Sequence, residues 1–211
     1  MIYHISPINP IDSNIYLLTG SKNIIIDSGT GLSSRAIIDE IHSILAHSKI
    51  DYLLLTHCHF DHIGGALDFV DAFGCEVCAG FVDAVPIREG DHSYTLCRDF
   101  GLDIPPVPCS NLQHGDIIDI GDHRLEVIST PGHTLGGVCF YDQITKSLFS
   151  GDTLFSDGVG RTDFKGGSLA SLRNSIKYLS TIPLNAIYPG HGRPNVDGQG
   201  AVKRGLLIVG D

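Results

Sequence analysis

The chain has 211 residues, of which 42% are hydrophobic, and its formal net charge is −10. This length suffices for one large domain with a sizeable core, and the hydrophobic fraction excludes a disordered chain. The acidic charge disfavours binding to nucleic acid or to an anionic membrane, because both rely on clustered lysine and arginine. No window approaches the length of a membrane span and no signal-like segment opens the chain, so we expect a cytoplasmic enzyme.

Apolar periodicity in the first half of the chain predicts strands that alternate with helices. The strands are predicted over 1–6, 15–19, 23–27, 52–55 and 75–79. The helices are predicted over 32–46, 63–73 and 81–87. The first three strands are separated only by turn signals, so we expect them to form an antiparallel meander.

The segment 88–110 contains Pro105, Pro106 and Pro108 and few apolar residues at regular spacing. Long connections inside a compact domain are often functional covers. We therefore interpret this segment as a lid that faces the substrate.

A second block of strands follows this connection. Strands are predicted over 117–120, 124–129, 138–141, 147–149 and 186–188, with one helix over 169–179 and a tail that contains Pro194 and Gly198. Two sheets that each carry helices on their outer side make an α/β (α+β) fold, a four-layer αββα sandwich. We expect one domain that covers residues 1–211.

The segment 56–62, with the sequence Thr-His-Cys-His-Phe-Asp-His, directly follows the predicted buried strand 52–55. Three histidines and an aspartate at this spacing are hard to explain as core packing, because buried imidazoles need partners and a buried carboxylate is costly. A divalent cation removes both problems, since zinc prefers imidazole and carboxylate ligands outside thiolate sites, and iron and manganese accept them. The plainer interpretation is a solvated turn that happens to be rich in histidine.

Three further candidates stand at predicted strand-to-loop junctions, namely His133, Asp152 and His191. Each follows an apolar run and is introduced by glycine, as a turn at the rim of a sheet requires. With the first cluster they give five histidines and two aspartates, enough to bind two metal ions with one shared carboxylate. The other histidines, at positions 4, 42, 47, 92, 114 and 123, lack such company, and we expect surface residues there.

The six cysteines do not suggest a disulfide framework, and only Cys75 and Cys78 have CxxC spacing. Residues three apart in a strand point to opposite faces, so we interpret both as small hydrophobic core residues. Cys58 lies between His57 and His59 and should point away from them by the same alternation.

The HxHxDH motif at 57–62, together with His133, Asp152, His191 and the early Asp27, resembles the metallo-β-lactamase superfamily over nearly the whole chain. The resemblance implies a first metal ion held by His57, His59 and His133. It implies a second metal ion held by Asp61, His62 and His191, with Asp152 as the bridge. Zinc is the expected metal, with iron or manganese as alternatives, and Asp27 would support the histidine loop through hydrogen bonds.

The segments 151–155 (Gly-Asp-Thr-Leu-Phe) and 160–164 (Gly-Arg-Thr-Asp-Phe) are similar to the glyoxalase II-like branch of that superfamily, in its short single-domain form. That branch, the hydroxyacylglutathione hydrolases, cleaves thioesters of glutathione. Arg161 falls where the branch has a basic residue for a substrate carboxylate. The resemblance therefore implies a small-molecule thioester or acyl substrate for this chain. We expect the chain to be a monomer or a homodimer.

Our hypothesis is a di-metal hydrolase of thioesters, in which the two cations lower the pKa of a shared water and a metal-bridging hydroxide attacks the acyl carbon. Asp61 would be catalytic, because it could accept the proton of that water and align it. The alternative is a mononuclear iron dioxygenase that acts on glutathione persulfide. That family is similar at 57–59 and 160–164, and would use His57, His133 and Asp152 as its iron ligands.

Overall fold

The computed structural model describes residues 1–46 and 48–210. Its first sheet has six strands in chain order. They are β1 (Ile2–Ile5), β2 (Ile15–Thr19), β3 (Asn23–Ile26), β4 (Tyr52–Leu55), β5 (Glu76–Gly80) and β6 (Ser110–Leu112). The strands from β1 to β3 pair antiparallel, as predicted, and those from β3 to β6 pair parallel.

The second sheet has five strands in the order β11-β10-β9-β8-β7. They are β7 (Ile117–Asp119), β8 (Arg124–Ser129), β9 (Val138–Asp142), β10 (Ser147–Gly151) and β11 (Ala186–Pro189). Because β9 is antiparallel to both of its neighbours and β10 is parallel to β11, the strands β8, β10 and β11 run in one direction. Their carboxyl ends therefore meet at one edge of the sheet.

The helices are α1 (Ser34–Leu45), α2 (Phe60–Ile63), α3 (Ala66–Phe73), α4 (Ala84–Glu89), α5 (His92–Thr95), α6 (Leu169–Leu179) and α7 (Gly198–Val209), with a 3₁₀ turn at Cys97–Phe100. The longer helices α1, α3, α6 and α7 lie on the outer faces of the two sheets. None of the helices in residues 1–46 and 48–210 combines the length and hydropathy of a membrane span.

Three clusters of buried side chains hold the four layers together. Ile25 of β3 packs with α1 and α3, whereas Ile24 and Ile26 pack between the two sheets. A third cluster joins the second sheet to α6 and α7. Strands buried on both faces need continuous apolar runs, which explains the three consecutive isoleucines in β3. The predicted αββα sandwich is confirmed.

Two predictions about elements are wrong in detail. The connection over 88–110 contains α5 and the 3₁₀ turn and ends in β6. The predicted tail contains α7, a helix with three glycines, whose low helix propensity hides the pattern. Its Gly205 packs so closely on Leu154 that a Cβ would come within 2.6 Å of the leucine side chain. Tertiary packing against α6 therefore stabilises a helix that the sequence by itself favours weakly.

The cysteine predictions are confirmed, and one histidine prediction is wrong. Cys75 packs with the outer helices and Cys78 packs between the sheets, so the two point to opposite faces. His123 was expected at the surface but is buried, and its Nδ1 donates to Asp142 Oδ2 at 2.7 Å. His47 lies outside the described residues.

Asp142 is the acceptor for a set of buried donors at the end of β9. His123, the Thr145 hydroxyl and the amides of Arg124 and Ile144 all donate to its carboxylate. Burial alone would raise the pKa of Asp142, but these hydrogen bonds lower it to about 2.

We expect Asp142→Ala to lower the free energy of unfolding at pH 7 by about 2–4 kcal/mol, because it leaves buried donors unpaired. Urea denaturation measures this, with the exposed Asp122→Ala as the control. A folded pKa of about 2 lies below the value near 4 in the unfolded chain, so the stabilisation is complete above about pH 4 and fades as pH falls towards 2. The difference in the free energy of unfolding between wild type and variant should therefore become smaller over that pH interval. A difference that stays constant with pH would contradict this account.

Candidate metal centre

The histidine motif lies at the carboxyl edge of the first sheet, where β4 ends at Leu55. Residues 56–58 form a bend, His59 is the N-cap, and the rest of the motif lies in the single helical turn α2. Asp27 follows β3 at the same edge with φ of 61°, a left-handed conformation that is rare outside glycine. Its Oδ1 accepts from the Thr56 amide at 2.8 Å, and its Oδ2 accepts from His62 Nδ1 at 2.8 Å. Asp27 thus supports the motif as predicted.

The second sheet contributes the other three candidates at its own carboxyl edge. His133 lies between β8 and β9, Asp152 follows β10, and His191 follows β11. The two edges face each other across the sandwich. All seven candidates predicted from the sequence are therefore brought together.

The candidates form two groups of three with ligand atoms within 4.8 Å of one another, His57 with His59 and His133, and Asp61 with His62 and His191. A third such group, His57 with His62 and Asp152, joins them. In the first group, His59 Nδ1 lies 2.8 Å from His133 Nε2. In the second group, His191 Nε2 lies 3.0 Å from Asp61 Oδ2. This division into groups is the one that the resemblance implies.

Asp152 lies between the two groups. One carboxylate oxygen is 3.3 Å from His62 Nε2, and the other is 3.6 Å from His133 Nε2 and 3.8 Å from His191 Nε2. Gly190 packs against it so closely that a Cβ there would come within 2.3 Å of Asp152 Oδ1. Only glycine at this position leaves room for a shared carboxylate.

Buried polar atoms without partners test whether a cation fits here. The Nε2 atoms of His57 and His62 and Oδ1 of Asp152 are buried and make no hydrogen bond. Each such atom costs about 1–3 kcal/mol when it remains unsatisfied. Imidazole nitrogens and carboxylate oxygens that converge on a shared space are the donor set of a zinc, iron or manganese site, so the residues fit two divalent cations.

The protonation of the centre suits metal binding. Burial and the neighbouring histidines lower the pKa of His57 far below its ordinary value, and burial and then His133 lower that of His59 to about 3. Both are neutral near pH 7, as ligands must be. Burial opposes ionisation of Asp152, but His62 and two further histidines hold its pKa below its usual range.

His62 is the exception, because it stands among carboxylates. Burial lowers its pKa, but Asp27, Asp152 and Asp61 together raise it well above the ordinary value. These negative charges demand a positive partner in the same space. A metal ion would balance these charges in place of the proton on His62 Nε2, and His62 Nδ1 would remain hydrogen-bonded to Asp27.

Hydrogen bonds behind the ligands orient their rings. His133 Nδ1 donates to the Arg161 carbonyl at 2.7 Å, which turns Nε2 towards the centre. Thr56 Oγ1 lies 3.1 Å from His57 Nδ1. Such contacts fix the tautomer and direction of a ligating imidazole.

Sequence reasoning missed Asp83, which is 2% exposed. Its carboxylate accepts from the amides of Cys58 at 3.0 Å and Gly136 at 2.7 Å, so it ties the histidine motif to the loop that carries His133. Burial and then Asp83 also raise the pKa of the Cys58 thiol, which supports the structural interpretation of that cysteine. No local spacing marks Asp83, because its partners are distant in sequence.

Asn14 was missed for the same reason. Its side-chain amide donates to the carbonyls of Pro189 at 2.9 Å and Gly192 at 2.8 Å, and its backbone amide donates to Gly190 at 2.6 Å. The preceding residue, Ser13, donates its amide to the Asp61 carbonyl at 3.1 Å. The turn before β2 thus holds the His191 loop beside the Asp61 loop.

Arg161 lies at the rim of the centre, where the resemblance places it, but it is not free. Its guanidinium forms two hydrogen bonds of 2.7 and 2.6 Å to Asp163 and lies 4.1 Å from the centroid of the Phe164 ring. A substrate carboxylate would have to displace Asp163. Because both side chains are exposed, solvent screens the pair, and exchange of one carboxylate for another is inexpensive.

A cavity of about 440 Å³ opens above the candidate ligands. Leu96 and Phe100 line it, so the segment interpreted as a lid does border the centre. Volumes of this size are typical of small-molecule sites.

Residues 8–191 match the family described as the metallo-beta-lactamase superfamily, and the chain belongs to that family. It is 35% identical over 188 residues to a "probable metallo-hydrolase" of Methanocaldococcus jannaschii, with 85% of this chain and 87% of that protein covered. It is 32% identical over 213 residues to the hydroxyacylglutathione hydrolase GloC of Haemophilus influenzae, with 94% of each covered. A crystal structure of TTHA1623 in a di-iron-bound form superposes with a TM-score of 0.78 at 31% identity, with 94% of this chain and 96% of that chain covered. The chain is thus a metallo-hydrolase of this superfamily.

We expect Asp83→Ala to weaken metal binding by the group of His57, His59 and His133 about 10- to 100-fold, because the two loops lose their common acceptor. Competition with a chelator, followed by metal quantitation, measures this affinity. The exposed Asp68→Ala is the matched control. Unchanged affinity in the Asp83 variant would show that the loops hold their positions without it.

We expect Asn14→Ala to weaken the other group, of Asp61, His62 and His191, by a similar factor of about 10 to 100. Asn185→Ala is the control, since Asn185 also donates to a backbone carbonyl but precedes β11 at its far end. Titration of cobalt into metal-free protein, followed by absorbance, distinguishes the two sites. Equal losses at both sites would contradict the assignment of Asn14 to one of them.

Proposed function

We propose that the chain is a two-metal hydrolase of thioesters, with hydroxyacylglutathione as the reference substrate. The observation that carries this proposal is the pair of three-residue groups joined by Asp152 at the floor of one cavity. The similarity to hydroxyacylglutathione hydrolases supports the thioester class. A mononuclear iron enzyme that used only His57, His133 and Asp152 would leave the second group without a role.

The reaction needs a water molecule to add to the acyl carbon and the bond from that carbon to sulfur to break. The products are a carboxylate and a thiol, and the thiolate takes up a proton as it leaves. Two divalent cations, when bound, lower the pKa of a shared water and polarise the acyl carbonyl. The protein contributes the neutral imidazoles and ionised carboxylates that position both charges.

Asp61 is the proposed catalytic residue. Its carboxylate is partly buried, lies 3.0 Å from His191 Nε2 and borders the cavity. Burial opposes its ionisation, but His62 and His191 lower the pKa, so the carboxylate is ionised at neutral pH. An ionised carboxylate at this position can accept the proton of the attacking water and hold the water in line with the acyl carbon.

Arg161 is the proposed contact for a carboxylate on the thiol carrier. It lies at the rim beside Phe164 rather than at the floor, so it would bind the end of the substrate that remains near solvent. Its pairing with Asp163 keeps the guanidinium oriented across the rim until a substrate carboxylate takes the place of that aspartate.

We expect Asp152→Ala to lose the second metal ion and to lower kcat/KM for S-lactoylglutathione by about three orders of magnitude, because the two charges lose their shared ligand. Thiol release and metal quantitation on the same preparation measure both effects. Asp157→Ala, an exposed aspartate five residues further on, is the control.

Full thioesterase activity with both metals retained in the Asp152 variant would overturn the proposal. So would oxygen consumption with glutathione persulfide in the absence of thioester hydrolysis, which is the outcome expected of the dioxygenase.

A further inference from the structure

We infer that the cavity above the metal centre selects thioesters with a compact hydrocarbon acyl group, aromatic or branched, over those with a 2-hydroxyacyl group. This inference rests on the proposed thioester hydrolysis and narrows its substrate class. It is carried by the chemistry of the cavity walls.

Within residues 1–46 and 48–210, Arg161 is the only polar side chain that the walls offer a substrate beyond the candidate ligands. Apart from the candidate ligands and Arg161, each side chain that lines the cavity in the described part of the chain is apolar. These walls are formed by Ile11, Phe60, Leu96, Phe100, Phe155 and Val159, with Phe164 at the rim. A hydroxyl on the acyl group would lose its hydrogen bonds to water and find no side-chain partner in these walls. A hydrocarbon group would instead be stabilised by burial of its apolar surface.

Among the side chains of these walls, Phe100 is the one that a substrate would cover most directly. It is 52% exposed, and its ring stacks on the buried ring of Phe60 with centroids 4.4 Å apart and an angle of 29° between the planes. Phe60 stands within the histidine motif, between His59 and Asp61. An exposed aromatic ring fixed this close to the ligands forms a flat surface for a second apolar group.

The segment that carries Phe100 is held in an unusual backbone conformation. Leu96 has φ of 61°, in the left-handed region, and its buried side chain lines the same cavity. A non-glycine residue is uncommon in that region, and such conformations are concentrated at ligand-binding segments. The 3₁₀ turn that carries Phe100 begins at the next residue, and the side chains of Leu96 and Phe100 both line the cavity.

The two ends of the cavity differ, which sets the direction of the substrate. Phe164 stands on the side of His59 and His133, with the Arg161 guanidinium over its ring. A polar depression with Arg98, Lys165, Asp99 and Asp163 adjoins them. That side suits the carrier thiol. On the other side, Phe155 approaches His191 with ring centroids 6.4 Å apart, and Ile11 is 40% exposed. The acyl group therefore lies in the apolar cavity, which Phe100 lines together with Ile11 and Phe155.

The test compares three acyl groups, lactoyl, acetyl and phenylacetyl, each on two thiols, glutathione and N-acetylcysteamine, with the metal-loaded full chain. We expect kcat/KM for phenylacetyl thioesters to exceed that for lactoyl thioesters by at least about tenfold on both thiols. In Phe100→Ala, the ratio of phenylacetyl to acetyl kcat/KM should fall about tenfold. Phe81→Ala is the matched control, because Phe81 is 55% exposed and lies outside this cavity.

A second measurement does not depend on turnover. Phenylacetate, the product acid, should raise the melting temperature of the loaded protein more than lactate does, and Phe100→Ala should remove the difference. Thioester hydrolysis without an acyl preference, or with a preference for lactoyl, would overturn this inference and leave the proposed function intact. Failure to hydrolyse any thioester would overturn the proposed function and this inference with it.

Discussion

The clustering of five imidazoles, four of them buried, with two partly buried carboxylates at one edge of the sandwich is the constraint on which the rest of the structure depends. Such a set is unfavourable unless positive charge lies among its members, because buried nitrogens and oxygens without partners lose their hydration and gain nothing in return. The low pKa values of His57 and His59, and the three carboxylates around His62, reflect the same requirement for a bound positive charge. Bound metal ions would meet it, and the two divalent cations that we propose would also supply the chemistry of a hydrolase without a protein nucleophile.

The first sheet positions ligands that belong to both sheets. Asp27 holds His62 and Thr56 within its own sheet. Asp83 reaches across to the loop that carries His133, and Asn14 reaches across to the loop that carries His191. Each of these bridges joins a side chain of one sheet to backbone groups of the other, so the position of the metal ligands depends on the packing of the two sheets. A rigid sandwich is therefore a condition for a precise centre.

Above the centre, polar candidate ligands and an apolar side chain are neighbours in the sequence. His59, Phe60 and Asp61 alternate along a single turn, so that two candidate ligands flank an aromatic ring that supports Phe100. This arrangement couples the metal floor to the apolar wall through consecutive residues. The acyl carbon of a bound substrate would lie where the two surfaces meet, with its hydrocarbon part against the wall and its carbonyl towards the ligands.

The sequence by itself determined the strands other than β6, the αββα layers and all seven candidate ligands, because apolar runs and the HxHxDH spacing are local signals. Only the tertiary structure showed the roles of Asp83 and Asn14, the burial of His123, the pairing of Arg161 with Asp163 and the apolar cavity. Asn14 and the carbonyl of Pro189 are 175 residues apart, and no local pattern encodes such a contact. The helix α7 was missed because its glycines weaken the helical signal, and its packing on α6 supplies the stability that its propensity does not.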